Sequence, residues 1–186
     1  MFFKSKGIQL GLIAGVMVTL AMAASSDVDG AHTNALLPAE AEAPKVVATS
    51  PEEAGRYLVI VGGCNDCHTP GWGETNGAVP EAQWLIGAPV GFQGPWGTSY
   101  PANLRLTAQA MDEEAFVARL KAGQGMPPMP WMNTAQMADA DLRAIYRFIR
   151  SLGVAGERAP VAVAPGVQPS TPYISFMPVM PETASR

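Results

Sequence analysis

Cys64-Asn65-Asp66-Cys67-His68 is the stretch on which the reading of this chain turns. Its spacing has a chemical logic. Two thiols three positions apart can each form a thioether to one of the two vinyl groups of a haem. The histidine that follows then lies under the iron and can ligate it through an imidazole nitrogen. Both cysteines of the chain fall inside this motif. Rival readings fit less well. A redox dithiol of the thioredoxin type sits near a βαβ pattern, and no such alternation surrounds the motif. A structural zinc site takes four ligands, usually Cys or His. Beyond Cys64, Cys67 and His68 the chain offers only His32, in a stretch rich in Ala, Glu and Pro.

Upstream, Ser50-Pro51-Glu52-Glu53 reads as a helix start. Ser50 can cap, Pro51 suits the first helical position, and Glu53 completes a capping box. Ala54, Tyr57, Leu58 and Val61 then fall on one face. Gly62 and Gly63 weaken the helix where it meets the motif, and they let another backbone or the porphyrin come close. Residues 24–49 read as a flexible linker. Residues 1–23 read as a secretory signal: Lys4 and Lys6 give the positive start, Ile8 to Leu20 the apolar core, and Ala21-Met22-Ala23 the cleavage site. Left uncleaved, the segment would be a membrane anchor, although its apolar run is slightly short of the roughly 20 residues of a span.

Cleavage removes two of the twelve basic residues and none of the sixteen acidic ones, which takes the formal net charge from −4 to −6. Such a chain lacks the basic surface that nucleic acid requires. The expected location is the periplasm, where the two thiols would pair with each other if no haem took them.

Downstream, residues 69–106 are dense in turn signals, among them Pro70-Gly71, Asn76-Gly77, Gly94-Pro95 and Tyr100-Pro101. A loop of this length is unusual in a compact domain, unless it packs on a porphyrin. Trp72, Trp84, Trp96 and Tyr100 can then line the haem edge or fill an ordinary core. Arg105 and the Trp and Tyr donors can reach the propionates, with a solvated side chain the plainer state for Arg105. A second helix spans Asp112 to Lys121, with Phe116, Val117 and Leu120 as its apolar stripe.

Gly125-Met126-Pro127-Pro128-Met129-Pro130-Trp131-Met132-Asn133 is the second chemical stretch. Its prolines stiffen an extended segment that can hold a thioether against iron. Met129, flanked by two prolines, is the best-placed sixth ligand; Met126 is the alternative and Met132 the weakest of the three. A third helix spans Asp139 to Leu152, with Leu142, Ile145, Tyr146, Ile149 and Leu152 at helical spacing. Arg143, Arg147 and Arg150 share another face, readable as a solvated surface or as a dock for an acidic partner. Residues 154–186 form a Pro-rich extended tail. It is unusually apolar from Tyr173 to Met180, which suggests that it lies in a groove of its own domain or of a partner.

The order helix, Cys-x-x-Cys-His, long loop, helix, methionine loop, helix resembles a class I cytochrome c domain over residues 50–153. Two segments sharpen the likeness. Gly97-Thr98-Ser99-Tyr100-Pro101-Ala102-Asn103-Leu104, followed by Asp112-Glu113-Glu114-Ala115-Phe116, is similar to the haem c domains that serve bacterial periplasmic alcohol and aldehyde dehydrogenases. Pro127-Pro128-Met129-Pro130-Trp131, followed by Asp141-Leu142-Arg143-Ala144-Ile145-Tyr146, has the same style. The resemblance implies an all-α fold, the first and last helices crossing at the haem edge. It implies one covalent haem c on Cys64 and Cys67, with iron between His68 and Met129. It implies a carrier of single electrons and not an enzyme, with a dehydrogenase as donor and an oxidase or another cytochrome as acceptor. Two further readings stay open: a haem enzyme acting on peroxide or a small sulfur species, and a fixed cytochrome subunit of a larger dehydrogenase complex. One departure is Ala138, which stands where the last helix would carry a Ser or Thr cap, at a cost of about 1 kcal/mol.

Overall fold

The computed structural model describes residues 43–181. The predicted signal segment, most of the predicted linker, His32 and residues 182–186 lie outside them. Six helices and three short strands are seen among the described residues: α1 (Pro51–Val61), α2 (Cys64–His68), β1 (Gly91–Gly94), β2 (Gly97–Ser99), α3 (Leu104–Gln109), α4 (Glu113–Lys121), α5 (Trp131–Ala135), α6 (Asp139–Ser151) and β3 (Tyr173–Ser175). None of these helices is long and apolar enough to cross a membrane.

The strands correct the all-α expectation: the architecture is mixed. The sheet runs in the order β2-β1-β3. β1 pairs antiparallel with β2, placing Phe92 opposite Ser99. β3 comes from the tail and lies parallel to β1, with Ile174 opposite Phe92. The hairpin is tight because of its glycines. A Cβ on Gly91 would press into Thr98 and the Tyr100 ring, and Gly97 takes φ +97°, open to few other residues.

The core lies where α1 and α6 pack together, with Trp84, Leu85, Phe116 and Val117 closing it. α1 starts as its sequence predicts: the Ser50 hydroxyl accepts from the Glu53 amide at 3.1 Å. The Glu53 carboxylate turns to the Thr49 amide and hydroxyl in place of Ser50. Its buried face differs from the predicted one. Ala54 and Leu58 are buried, but Gly55 and Val59 join them, while Tyr57 and Val61 stay 54% and 57% exposed. The reason is Gly55. With no side chain it lets α6 approach so closely that a Cβ would overlap the Ala144 carbonyl. That contact rolls α1 toward the 55/59 side.

α6 buries Leu142, Ala144, Ile145, Phe148 and Ile149, and Ala138 provides no side-chain cap. Its Asp141 is buried too, and its carboxylate accepts from the amides of Lys45 at 3.1 Å and Val46 at 3.3 Å. The stretch expected as free linker up to Thr49 is therefore docked from Lys45 onward. The arginines of α6 stay at the surface, Arg147 and Arg150 exposed and Arg143 part-exposed, and each also has a partner within the chain. Arg143 pairs with Glu113 and Glu114, and Arg147 with Glu113 at 2.8 Å. Arg150 donates to the Ala108 carbonyl at 3.2 Å. They bind α6 to α4 and α3.

Two predictions follow from this packing. Gly55→Ala should cost about 2 kcal/mol or more, because overpacking against backbone cannot relax by a rotamer change; denaturant unfolding would measure it, and a neutral result would place the helices further apart. The second concerns Glu113, whose carboxyl is held below its ordinary 4.5, first by the hydrogen bond from Arg147. A lowered folded value contributes stability above about pH 4.5 and loses it as pH falls through that value. Wild type should exceed Glu113→Gln by about 0.5–1 kcal/mol at neutral pH, and unfolding curves should show the gap closing below pH 4.5.

Candidate functional site

The five residues of the Cys-x-x-Cys-His motif form α2 by themselves. Gly63 sets it off from α1 with φ +67°, so the chain turns between the two helices instead of running straight through. Cys64 and Cys67 are free thiols. Burial first, and then the Asp66 carboxylate, pushes Cys64 up to about 11, and the same causes raise Cys67. A redox dithiol needs the opposite shift, toward thiolate. Among the described residues no three His, Cys, Asp or Glu side chains gather as a metal ion would need.

His68 is buried, and its Nδ1–H donates to the Ala102 carbonyl at 2.7 Å. That bond fixes the tautomer and leaves Nε2 with its lone pair. Burial also holds the imidazole below its ordinary value, partly offset by the carbonyl, so the neutral ring that a metal requires is favoured. Further contacts hold the helix from behind. The Gly87 amide donates to the His68 carbonyl at 2.8 Å. The Thr69 hydroxyl donates to Asn65 at 2.7 Å and accepts from the Leu85 amide at 2.8 Å. The Nδ2 of buried Asn65 has no partner among the described residues: it is a donor within the motif that an acceptor from outside the chain would satisfy.

The methionine stretch is a separate loop, pinned at three points. Trp131 donates from its indole to the Met126 carbonyl at 3.0 Å and from its amide to the Met129 carbonyl at 2.8 Å. The Ser99 hydroxyl donates to the Pro127 carbonyl. Gly125 is required because the Trp131 ring occupies the place of its Cβ. Met126 and Met129 are half-buried, whereas Met132 is 78% exposed. The run from Gly97 to Asn103 thus touches both candidate stretches, His68 through Ala102 and the methionine loop through Ser99.

Among the aromatic and arginine candidates, Trp84, Trp96, Tyr100 and Arg105 have hydrogen-bond partners within the chain. Trp84 is a core residue; its indole N–H donates to the Val79 carbonyl at 2.8 Å, and Trp72 stands edge-on to it at 5.1 Å. Trp96 donates to Phe92, and the Tyr100 hydroxyl meets Thr171 at 2.7 Å. Arg105 is neither solvated nor aimed at a ligand. It is 6% exposed and donates to the carbonyls of Gly153 (2.7 Å), Ala82 (2.8 Å) and Leu152. The sequence reading gave Ala102 no role, since it acts through its main chain and carries no side-chain signature; it entered only within the Gly97–Leu104 segment and beside the Tyr100-Pro101 turn signal. It also missed Ser99.

The residues present fit a covalently held haem. The donor set holds two unpaired thiols one helical turn apart, one imidazole with a single free nitrogen, and two half-buried thioethers in a pinned loop.

The Arg105 clasp gives a test. Arg105→Lys cannot fork to three carbonyls, and stability should fall by about 2–4 kcal/mol, since buried acceptors lose their donors. Equilibrium unfolding decides it; a change under about 0.5 kcal/mol would show that the guanidinium is not the tie.

Compared with known proteins, the chain matches no family model, no curated protein and no solved structure.

Proposed function

We propose that this chain is a c-type cytochrome of the class I kind, exported to the periplasm, that passes single electrons between protein partners and performs no catalysis of its own. The observation that carries the reading is the His68–Ala102 hydrogen bond inside a Cys-x-x-Cys-His helix. It presents one neutral imidazole nitrogen beside two free thiols, which is what attachment and proximal ligation need.

Cys64 and Cys67 would hold the haem through thioethers, each S–H adding across a vinyl group with no oxidant needed. Burial and Asp66, by keeping both cysteines as thiols, suit that addition better than disulfide exchange. His68 would be one iron ligand and Met129 the other, with Met126 as the alternative sulfur. A haem bound in this way supplies reversible one-electron exchange, and two protein ligands leave no open position for a substrate. Electron donor and acceptor would meet the chain through a small transient contact. By the resemblance, the donor is a periplasmic dehydrogenase and the acceptor an oxidase or a second cytochrome.

The decisive preparation is the protein made in a host able to mature such cytochromes. It should be coloured and heavier than its polypeptide by one haem, and Cys64→Ser with Cys67→Ser together should lose the added mass. The oxidised protein should show a near-infrared sulfur-to-iron charge-transfer band that Met129→Ala abolishes. A colourless chain would overturn the reading; an unchanged band in Met129→Ala would move the ligand to Met126.

A further inference from the structure

The run from Gly97 to Asn103 holds the two halves of the proposed iron site on one side and is gripped by the C-terminal segment on the other. Inward, Ser99 holds the methionine loop at Pro127 and the Ala102 carbonyl orients His68. Outward, four of its residues meet the segment past α6. Thr98 pairs through its backbone with Val163, amide to carbonyl at 2.8 and 2.9 Å. Gly97 lies so close that a Cβ would overlap the Val163 carbonyl. Tyr100 meets Thr171. Asn103 is the tightest point. It is buried, and its Nδ2 donates to the carbonyls of Ala155 at 2.8 Å and Glu157 at 3.1 Å, while its Oδ1 caps α3 at the Leu106 amide at 3.0 Å. Even the tail glycine at this point is constrained: Gly156 takes φ +71°, and a Cβ on it would press on Ile86 and on the Asn103 amide nitrogen.

We propose that Asn103 is a positioning residue and the C-terminal segment a brace, which together fix the Ala102 carbonyl against His68 and the methionine loop against the iron. The inference rests on the haem reading above. Without the brace, the run could shift outward, the His68 bond would lengthen, and the loop would release its sulfur more readily. The tail thus sets how firmly the sixth ligand is held, although it lies outside the ligand set.

The test uses haem-loaded protein and added imidazole, which competes with methionine for ferric iron. Three variants weaken the brace in different ways. Asn103→Asp keeps the cap on Leu106 but turns two donors into acceptors. Tyr100→Phe removes only the hydroxyl to Thr171 and is the mildest. A chain stopped after Pro169 lacks β3 and Thr171. Imidazole should bind Asn103→Asp and the shortened chain about tenfold more tightly than wild type, and Tyr100→Phe by a smaller factor, as expected for losing one or two net hydrogen bonds. Glu113→Gln weakens the α4–α6 seam without touching the brace and should leave imidazole affinity unchanged, which separates bracing from general loss of stability. Wild-type affinity in Tyr100→Phe and the shortened chain, on protein that carries haem, would overturn the brace alone. Equal tightening in Glu113→Gln would do the same. A wild-type chain that carries no haem would overturn the reading of the site, and the brace with it.

Discussion

The hydrogen bond from His68 to the Ala102 carbonyl joins two parts of the chain 34 residues apart. One is a single turn of helix, too short to be stable by its own propensity. The other is an irregular run between a hairpin and a short helix. Burying an imidazole without a partner would cost several times what one net hydrogen bond returns. The ring therefore fixes the run, and the run fixes the ring. The hairpin, the methionine loop and the tail are then arranged around that junction.

This explains how a stretch as long as 69–104 holds together with little regular structure. Its backbone groups are satisfied one at a time. Leu85 accepts from the Leu104 amide at 2.9 Å and donates to Thr69, with a positive φ of 61° that only this double engagement makes tolerable. Gly87 donates to His68. Arg105 gathers the carbonyls at the end of α6 and the turn near Ala82. Trp84 fills the centre of the core beneath these loops and has Phe148 edge-on at 6.2 Å.

What could be read from the sequence was what side chains announce. The starts of α1 and α4 were legible because Ser50 and Asp112 cap them, and the structure shows both caps. The thiols and the histidine were legible as a constellation because their spacing is chemical. The strands were not, since segments of three or four residues containing glycine are too short for alternation to register. The α1 face was misjudged because periodicity ranks apolar residues, and Gly55 owes its burial to lacking a side chain. Arg105 was misjudged for a related reason. A charged residue in sequence looks solvated, whereas Arg105 is buried and finds carbonyls far along the chain. The link between Ala102 and His68 is made by a main-chain atom, which any residue there would supply.

From Ala159 to Pro181 the chain carries no charged residue. Its hold on the domain is made of backbone pairing, the Tyr100–Thr171 contact, and Phe176 against Phe92 at 5.8 Å and Trp96 at 6.0 Å. The seam between α4 and α6 is instead tied by exposed and half-exposed ion pairs. The two seams therefore answer differently to ionic strength. Counter-ions screen surface pairs over about 10 Å at 0.1 M and about 3 Å at 1 M, while uncharged contacts hold or tighten. Concentrated salt would loosen the helical side of this molecule and leave its strapped side in place.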